Sequence, residues 1–182
     1  TEPRGAQPAQ WANRLAMVRR FAQYASIVEP RHEVPPPDLL PYRYHRPPPY
    51  IYRDEEVAAL IGAAQRLPGF TGLRPHTCAT LLGLVAVTGM RVNEPLGLDR
   101  DDVDLPHGVL TVRGSKFGKS RLVPVHDSTR RALRHYAAQR DRLCSNPHSP
   151  SFFLSERGTR VTEGALRWTF VKLSRQCGLR GQ

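Results

Sequence analysis

Arg91 and Glu94 stand three residues apart, just after Thr88-Gly89-Met90, and Lys116 and Lys119 follow in a loop that also holds Gly114 and Gly118. A guanidinium is a planar, two-pronged donor that matches two non-bridging oxygens of a phosphate. Residues three apart on a helix share a face, so the Glu94 carboxylate can hold the Arg91 guanidinium. On an ordinary surface helix such a pair contributes only about 0.2–0.5 kcal/mol and does no chemistry. The neighbourhood sets this one apart: Leu96-Gly97-Leu98 and the acidic turn Asp101-Asp102-Val103-Asp104-Leu105 follow at once. A fixed cation beside a phosphate stabilises the charge that develops during phosphoryl transfer.

The elements that position these residues can be read from periodicity. Residues 76–88 carry Leu81, Leu82, Leu84, Val85 and Val87, which predicts a helix buried on most sides and stopped by Gly89. A short helix from Val92 to about Leu96 follows, and Pro95 is tolerable there because it lies near the first turn. Residues 109–112 and 122–125 read as two β-strands around the Lys116 loop. Ser128 is the expected cap of a helix that runs to about Leu143, and Thr162 caps a last helix bearing Leu166, Phe170, Leu173 and Cys177. Upstream, Asp54 is the expected cap of a helix with the stripe Val57, Leu60, Ile61, Ala64 and Leu67.

Two further segments precede these. Trp11, Leu15, Val18, Phe21, Ala22 and Ala25 recur at helical spacing over residues 11–28. One amphipathic helix cannot bury its stripe alone, so this reads as the last helix of another domain. Pro30, Pro35, Pro36, Pro37, Pro41, Pro47, Pro48 and Pro49 then crowd a stretch that also holds Arg43 and Arg46 among tyrosines. Proline fixes φ and removes the backbone donor, so an extended, semi-rigid strap is expected, laid either along a phosphate backbone or on the protein surface. The expected organisation is therefore a helical remnant at 1–29, a basic Pro-rich linker at 30–53 and an α+β, mostly helical domain with a small antiparallel sheet at 54–182.

Composition narrows the partner. The 182 residues include 27 Lys+Arg against 16 Asp+Glu, a net charge of +11. A charge of that size attracts polyanions, and nucleic acid is the first choice. No apolar run reaches the ~20 residues of a membrane span. Three well-separated cysteines and no His pair at i, i+4 spacing leave no zinc signature, and an odd cysteine count fits a reducing cytoplasm.

The run Thr88-Gly89-Met90-Arg91-Val92-Asn93-Glu94, with Leu96-Gly97-Leu98, the acidic turn and the hairpin Gly114-Ser115-Lys116-Phe117-Gly118-Lys119-Ser120-Arg121-Leu122-Val123-Pro124, resembles the first half of the active site of tyrosine recombinases, the phage-integrase family. The resemblance covers residues 11–182. It implies a helical core-binding domain followed by a catalytic domain. It also implies strand cleavage through a 3′-phosphotyrosine without metal or nucleotide cofactor, in the cytoplasm at the nucleoid. It gives Arg91 and Lys116 catalytic roles, with Lys119 the alternative lysine, and makes Glu94 the acidic support of Arg91. It narrows the nucleic acid to double-stranded DNA, with Lys119, Arg121, Arg43 and Arg46 as implied contacts. Full-length members assemble on DNA, so a homo-oligomer is implied as well.

The second half of that site is not recognisable. No histidine is followed at the third position by arginine, and Tyr136, the only tyrosine after Arg91, lies on the apolar face of a helix. The sequence is therefore expected to be a fragment cut at both ends and inactive alone. The alternative to a recombinase piece is a non-catalytic DNA-binding relative that occupies recombination sites. Pro95 stands where the family has an aliphatic residue.

Overall fold

The computed structural model describes residues 8–40, 48–114 and 118–179. The chain divides between Tyr50 and Ile51 into two compact units. Lys116, Arg43 and Arg46 lie outside the described residues.

The first unit is built on helix α1, Pro8–Val28. It starts three residues earlier than periodicity indicates, because Pro8 has its φ already set for a first helical position and has no amide to leave unpaired. None of its residues is buried; Phe21, Tyr24 and Ile27 are exposed. Residues 35–36 fold back onto it: Arg19 donates from Nε to the Pro35 carbonyl at 2.9 Å and from a terminal nitrogen to the Pro36 carbonyl at 2.5 Å.

The second unit runs α2 (Asp54–Gln65), α3 (Leu73–Thr88), α4 (Asn93–Gly97), a 3₁₀ turn (Arg100–Asp102), β1 (Val103–Asp104), β2 (Val109–Val112), β3 (Arg121–Pro124), α5 (Asp127–Leu143) and α6 (Glu163–Gln176). The three strands form one antiparallel sheet in the order β1-β2-β3, with Leu110 opposite Val103 on one side and Val123 on the other. The mostly helical α+β architecture and the paired strands agree with the sequence reading. β1 is an addition: the acidic turn hides a two-residue strand, too short to show an alternating pattern.

Local corrections concern caps. Helix α2 is capped from Arg53, not Asp54, and the Glu56 carboxylate accepts from the Arg53 amide at 2.8 Å. Asp54, Glu55 and Glu56 then fill the first turn, where the helix dipole favours negative charge. Helix α5 begins after His126, whose ring nitrogen accepts from the Ser128 amide at 3.3 Å, so Ser128 lies inside the helix. Helix α3 begins at Leu73 rather than residue 76, since Pro75 in the first turn forfeits no intrahelical hydrogen bond. Thr162 caps α6 as expected, accepting from the Ala165 amide at 3.3 Å.

Two apolar clusters hold this unit. The larger gathers Leu81 and Leu84 of α3, Leu96 and Leu98 around α4, Leu110 and Val112 of β2, Leu133 and Tyr136 of α5, and Phe152-Phe153-Leu154. Each such side chain contributes roughly 1.5–3 kcal/mol on burial. The smaller joins Leu60 and Ala64 of α2 to Cys78 and Ala79 of α3 and Leu173 of α6. Helix α3 thus belongs to both clusters, which makes its C-terminal end, where Arg91 begins, a fixed point of the fold. No described helix is long and apolar enough to cross a membrane.

Candidate phosphate-binding site

The end of α3 is shaped by three adjacent residues. The Thr88 hydroxyl donates to the Leu84 carbonyl at 2.6 Å and accepts from the Met90 amide at 3.3 Å. Gly89 takes a left-handed conformation, φ 63°, and its amide closes the helix on the Val85 carbonyl at 3.0 Å. That conformation costs a β-carbon-bearing residue about 1–2 kcal/mol, which explains the glycine. Met90 is 3% exposed and plugs into the core. The chain is then turned outward, and the Arg91 side chain is 63% exposed.

Glu94 is the hub. Its side chain is 6% exposed, and Pro95 and Leu96, the next two residues, are buried as well. Its Oε2 accepts from the Arg91 backbone amide at 2.8 Å, and its Oε1 lies 3.3 Å from the Arg91 guanidinium. Pro95 is the third residue of α4, where no intrahelical donor is lost, so the departure from an aliphatic residue leaves the turn intact.

Arg121, at the start of β3, bonds to Glu94. Its two terminal nitrogens donate to Oε1 and Oε2, each at 2.8 Å. This two-pronged pair, ahead of the Arg91 contacts, overcomes burial and lowers the Glu94 pKa to about 2. Glu94 is therefore ionised at any physiological pH. Arg121 lies two residues before Val123, so both share a face of β3, and Val123 packs against the core.

Arg91 and Glu94 line a cleft of about 700 Å³ together with Asp99, Asp102, Arg113, Gly114 and Glu163. Arg113, not singled out from the sequence, donates through Nε to Asp102 at 2.6 Å. Burial works to raise the Asp102 pKa, but Arg113 and the Asp99 amide hold it below the ordinary carboxylate value. Arg160 likewise secures Asp99 at 2.6 Å and the Leu96 carbonyl at 2.8 Å. Glu94, Asp99 and Asp102 are thus each paired with an arginine, and Arg91 and Arg113 stand exposed along the cleft. Lys119 is exposed beyond Gly118, on the segment leading into β3. Tyr136 is fully buried. Among the described residues, no group of three or more His, Cys, Asp or Glu is placed to hold a metal ion.

An integrase/recombinase of Sinorhizobium fredii named y4rB is 46% identical to this chain over 98% of its length, which covers 58% of the relative. The chain spans little more than half the length of the curated relatives it matches. The crystal structure of the XerA recombinase superimposes with a TM-score of 0.58 at 24% identity, covering 96% of this chain and 61% of that one. A lambda integrase tetramer bound to a Holliday junction superimposes with a TM-score of 0.60 at 16% identity, covering 96% of this chain and 53% of that one. Both share the fold. The sequence model of the phage integrase family matches residues 51–182, and the chain belongs to that family.

Proposed function

We propose that this chain supplies the phosphate-gripping part of a site-specific DNA recombinase, an enzyme that cuts one strand by forming a 3′-phosphotyrosyl link and then rejoins it. The observation that carries the reading is the Arg91 guanidinium, backed by a buried, ionised Glu94 and open to the cleft in front. In this reading Arg91 donates to the non-bridging oxygens of the scissile phosphate. A tyrosine oxygen attacks the phosphorus in line, the bond to the 5′-oxygen breaks, and that oxygen takes a proton from Lys116, with Lys119 as the alternative donor. The exchange of one phosphoester for another needs neither metal nor nucleotide, because the energy of the broken bond is kept in the new one. Tyr136 is not the nucleophile: its hydroxyl is sealed in the core.

Double-stranded DNA is the partner, supported by the net charge of +11. In the same reading residues 1–29 close a helical core-binding domain, and the 30–53 strap lays Arg43 and Arg46 along the backbone. The full-length protein assembles on DNA, as the lambda integrase tetramer does on its Holliday junction, and it works in the cytoplasm at the nucleoid.

The test is binding of a labelled duplex over a salt series. Each phosphate contact adds about 0.9 to the slope of log K against log salt. The wild-type chain is expected to show a steep slope, and Arg91→Ala to lower it by about one contact. An affinity independent of salt, or an Arg91→Ala variant with the wild-type slope, overturns the reading.

A further inference from the structure

Glu94 poses a problem for the arginine it supports. A buried carboxylate attracts the nearest guanidinium, and an arginine fully engaged by its own buttress has few donors left for a substrate. The structure shows how the conflict is resolved. Arg121 places one terminal nitrogen on each Glu94 oxygen at 2.8 Å, while Arg91 reaches only Oε1, at 3.3 Å. The Arg91 backbone amide takes a further place on Oε2. An ionised carboxylate offers about four acceptor sites, and here two terminal nitrogens of Arg121, one amide and one distant guanidinium nitrogen fill them. Arg91 keeps a side chain 63% exposed, against 41% for Arg121 and 6% for Glu94.

We infer that Arg121 is a positioning residue for Arg91: by saturating both oxygens of Glu94 it prevents capture of the Arg91 guanidinium and leaves it free for a phosphate. The inference rests on the reading of Arg91 as the phosphate-binding residue. Charge supports it as well as geometry. With Arg121 in place, Glu94 and its two arginines carry a net +1 toward the cleft. Without Arg121, Glu94 and Arg91 form a neutral pair, and the guanidinium turns inward to a carboxylate that has lost its better partner. Lysine cannot substitute, because a point charge cannot cover two oxygens as a planar fork does. The position has a structural consequence too. Arg121 opens β3, pairs with Val112 of β2 and bonds to α4, so it ties the stem of the Lys116 loop to the turn that presents Arg91.

The test is a double-mutant cycle on the 182-residue chain, read as duplex affinity and salt slope, with thermal stability followed in parallel. Arg91→Ala, Arg121→Ala, the double variant and Arg121→Lys are compared. Arg121→Ala is expected to lower the slope by about one contact, near 0.9, as Arg91→Ala does. The double variant is expected to bind within twofold of Arg91→Ala, and Arg121→Lys to fall between wild type and Arg121→Ala although its net charge is unchanged. Additive losses would mean that Arg121 touches DNA itself, and would overturn the inference. So would Arg121→Lys binding like wild type, which would reduce the effect to net charge, or an Arg121→Ala variant that loses only thermal stability. If Arg121→Ala does not fold, the same cycle run with Arg121→Lys decides between the same outcomes. An Arg91→Ala variant that binds like wild type removes the phosphate-binding reading, and this inference with it. An effect of Arg91→Ala without one of Arg121→Ala removes this inference alone.

Discussion

Asp102 and Arg113 form the same joint as Glu94 and Arg91. Asp102 Oδ2 accepts from the backbone amide of Asp99 at 3.1 Å, three residues back, as Glu94 Oε2 does from Arg91. Its Oδ1 holds the Arg113 guanidinium at 2.6 Å, and the Arg113 side chain is 69% exposed against 9% for Asp102. In both cases a buried carboxylate caps its own turn and holds an exposed arginine beside the same cleft. Among the described residues a second arginine hydrogen-bonds to Glu94, whereas Arg160 acts on Asp102 through its charge alone.

Arg113 is therefore expected to be a second phosphate contact. Bonding through Nε leaves its terminal nitrogens for the cleft. Arg113→Ala should lower the salt slope of duplex binding by about 0.9, independently of Arg91→Ala, because the two arginines rest on different carboxylates. Binding measurements over a salt series check this. A slope unchanged from wild type would confine Arg113 to supporting Asp102.

Glu94 gives the site a pH signature. Its pKa falls from the ordinary 4.5 to about 2 in the folded chain, first through the Arg121 hydrogen bonds. A depressed folded-state value means that the unfolded chain takes up the proton first as pH drops. The stabilisation is present in full above about 4.5 and is lost as pH falls toward 2, an effect of roughly 3 kcal/mol. Urea unfolding between pH 6 and pH 2.5 should show this loss in the wild type, and Glu94→Gln should remove that component of it. Identical pH profiles for the two proteins would mean that Glu94 is not held by Arg121 in solution.

Much of this site was legible because its signals are local. A glycine after an apolar helix, an arginine two residues on and a glutamate three beyond it specify a turn and a shared face without reference to the rest of the chain. The partners of Glu94 and Asp102 were not legible in the same way. Arg121 is separated from Glu94 by 27 positions and meets it only because β3 pairs with β2 in one register. A one-residue slip would point Arg121 to the other face. Arg113 meets Asp102 through the β1–β2 pairing, and β1 is two residues long. The caps were misplaced for a simpler reason. Asp54 and Ser128 are favourable both as caps and in the first turn, so composition alone does not say which position they take.

Gly89 offers a test of the turn that presents Arg91. A β-carbon there would meet no atom within 4 Å, so only backbone conformation opposes it. Gly89→Ala should cost about 1–2 kcal/mol, measured by urea unfolding, with Arg91 still exposed and the salt slope kept. No loss of stability would mean that the left-handed turn is not adopted.

Tyr136 provides the last prediction. Its hydroxyl accepts from the Leu154 amide at 2.9 Å and lies 3.3 Å from the Thr77 hydroxyl, which itself donates to the Leu154 carbonyl at 2.9 Å. Tyr136 therefore locks α5 and α3 onto the Phe152-Phe153-Leu154 segment. Burial raises its pKa, so the phenol stays protonated, the opposite of what a nucleophile requires. Tyr136→Phe keeps the ring and strands the Leu154 amide without an acceptor, a penalty of about 1–3 kcal/mol. Urea unfolding should show that loss, while duplex affinity and salt slope stay at wild-type values. A suicide DNA substrate should give no SDS-resistant adduct at this residue. A covalent adduct mapped to Tyr136 would require the segment to open and expose the phenol, and would overturn its place as a structural pin.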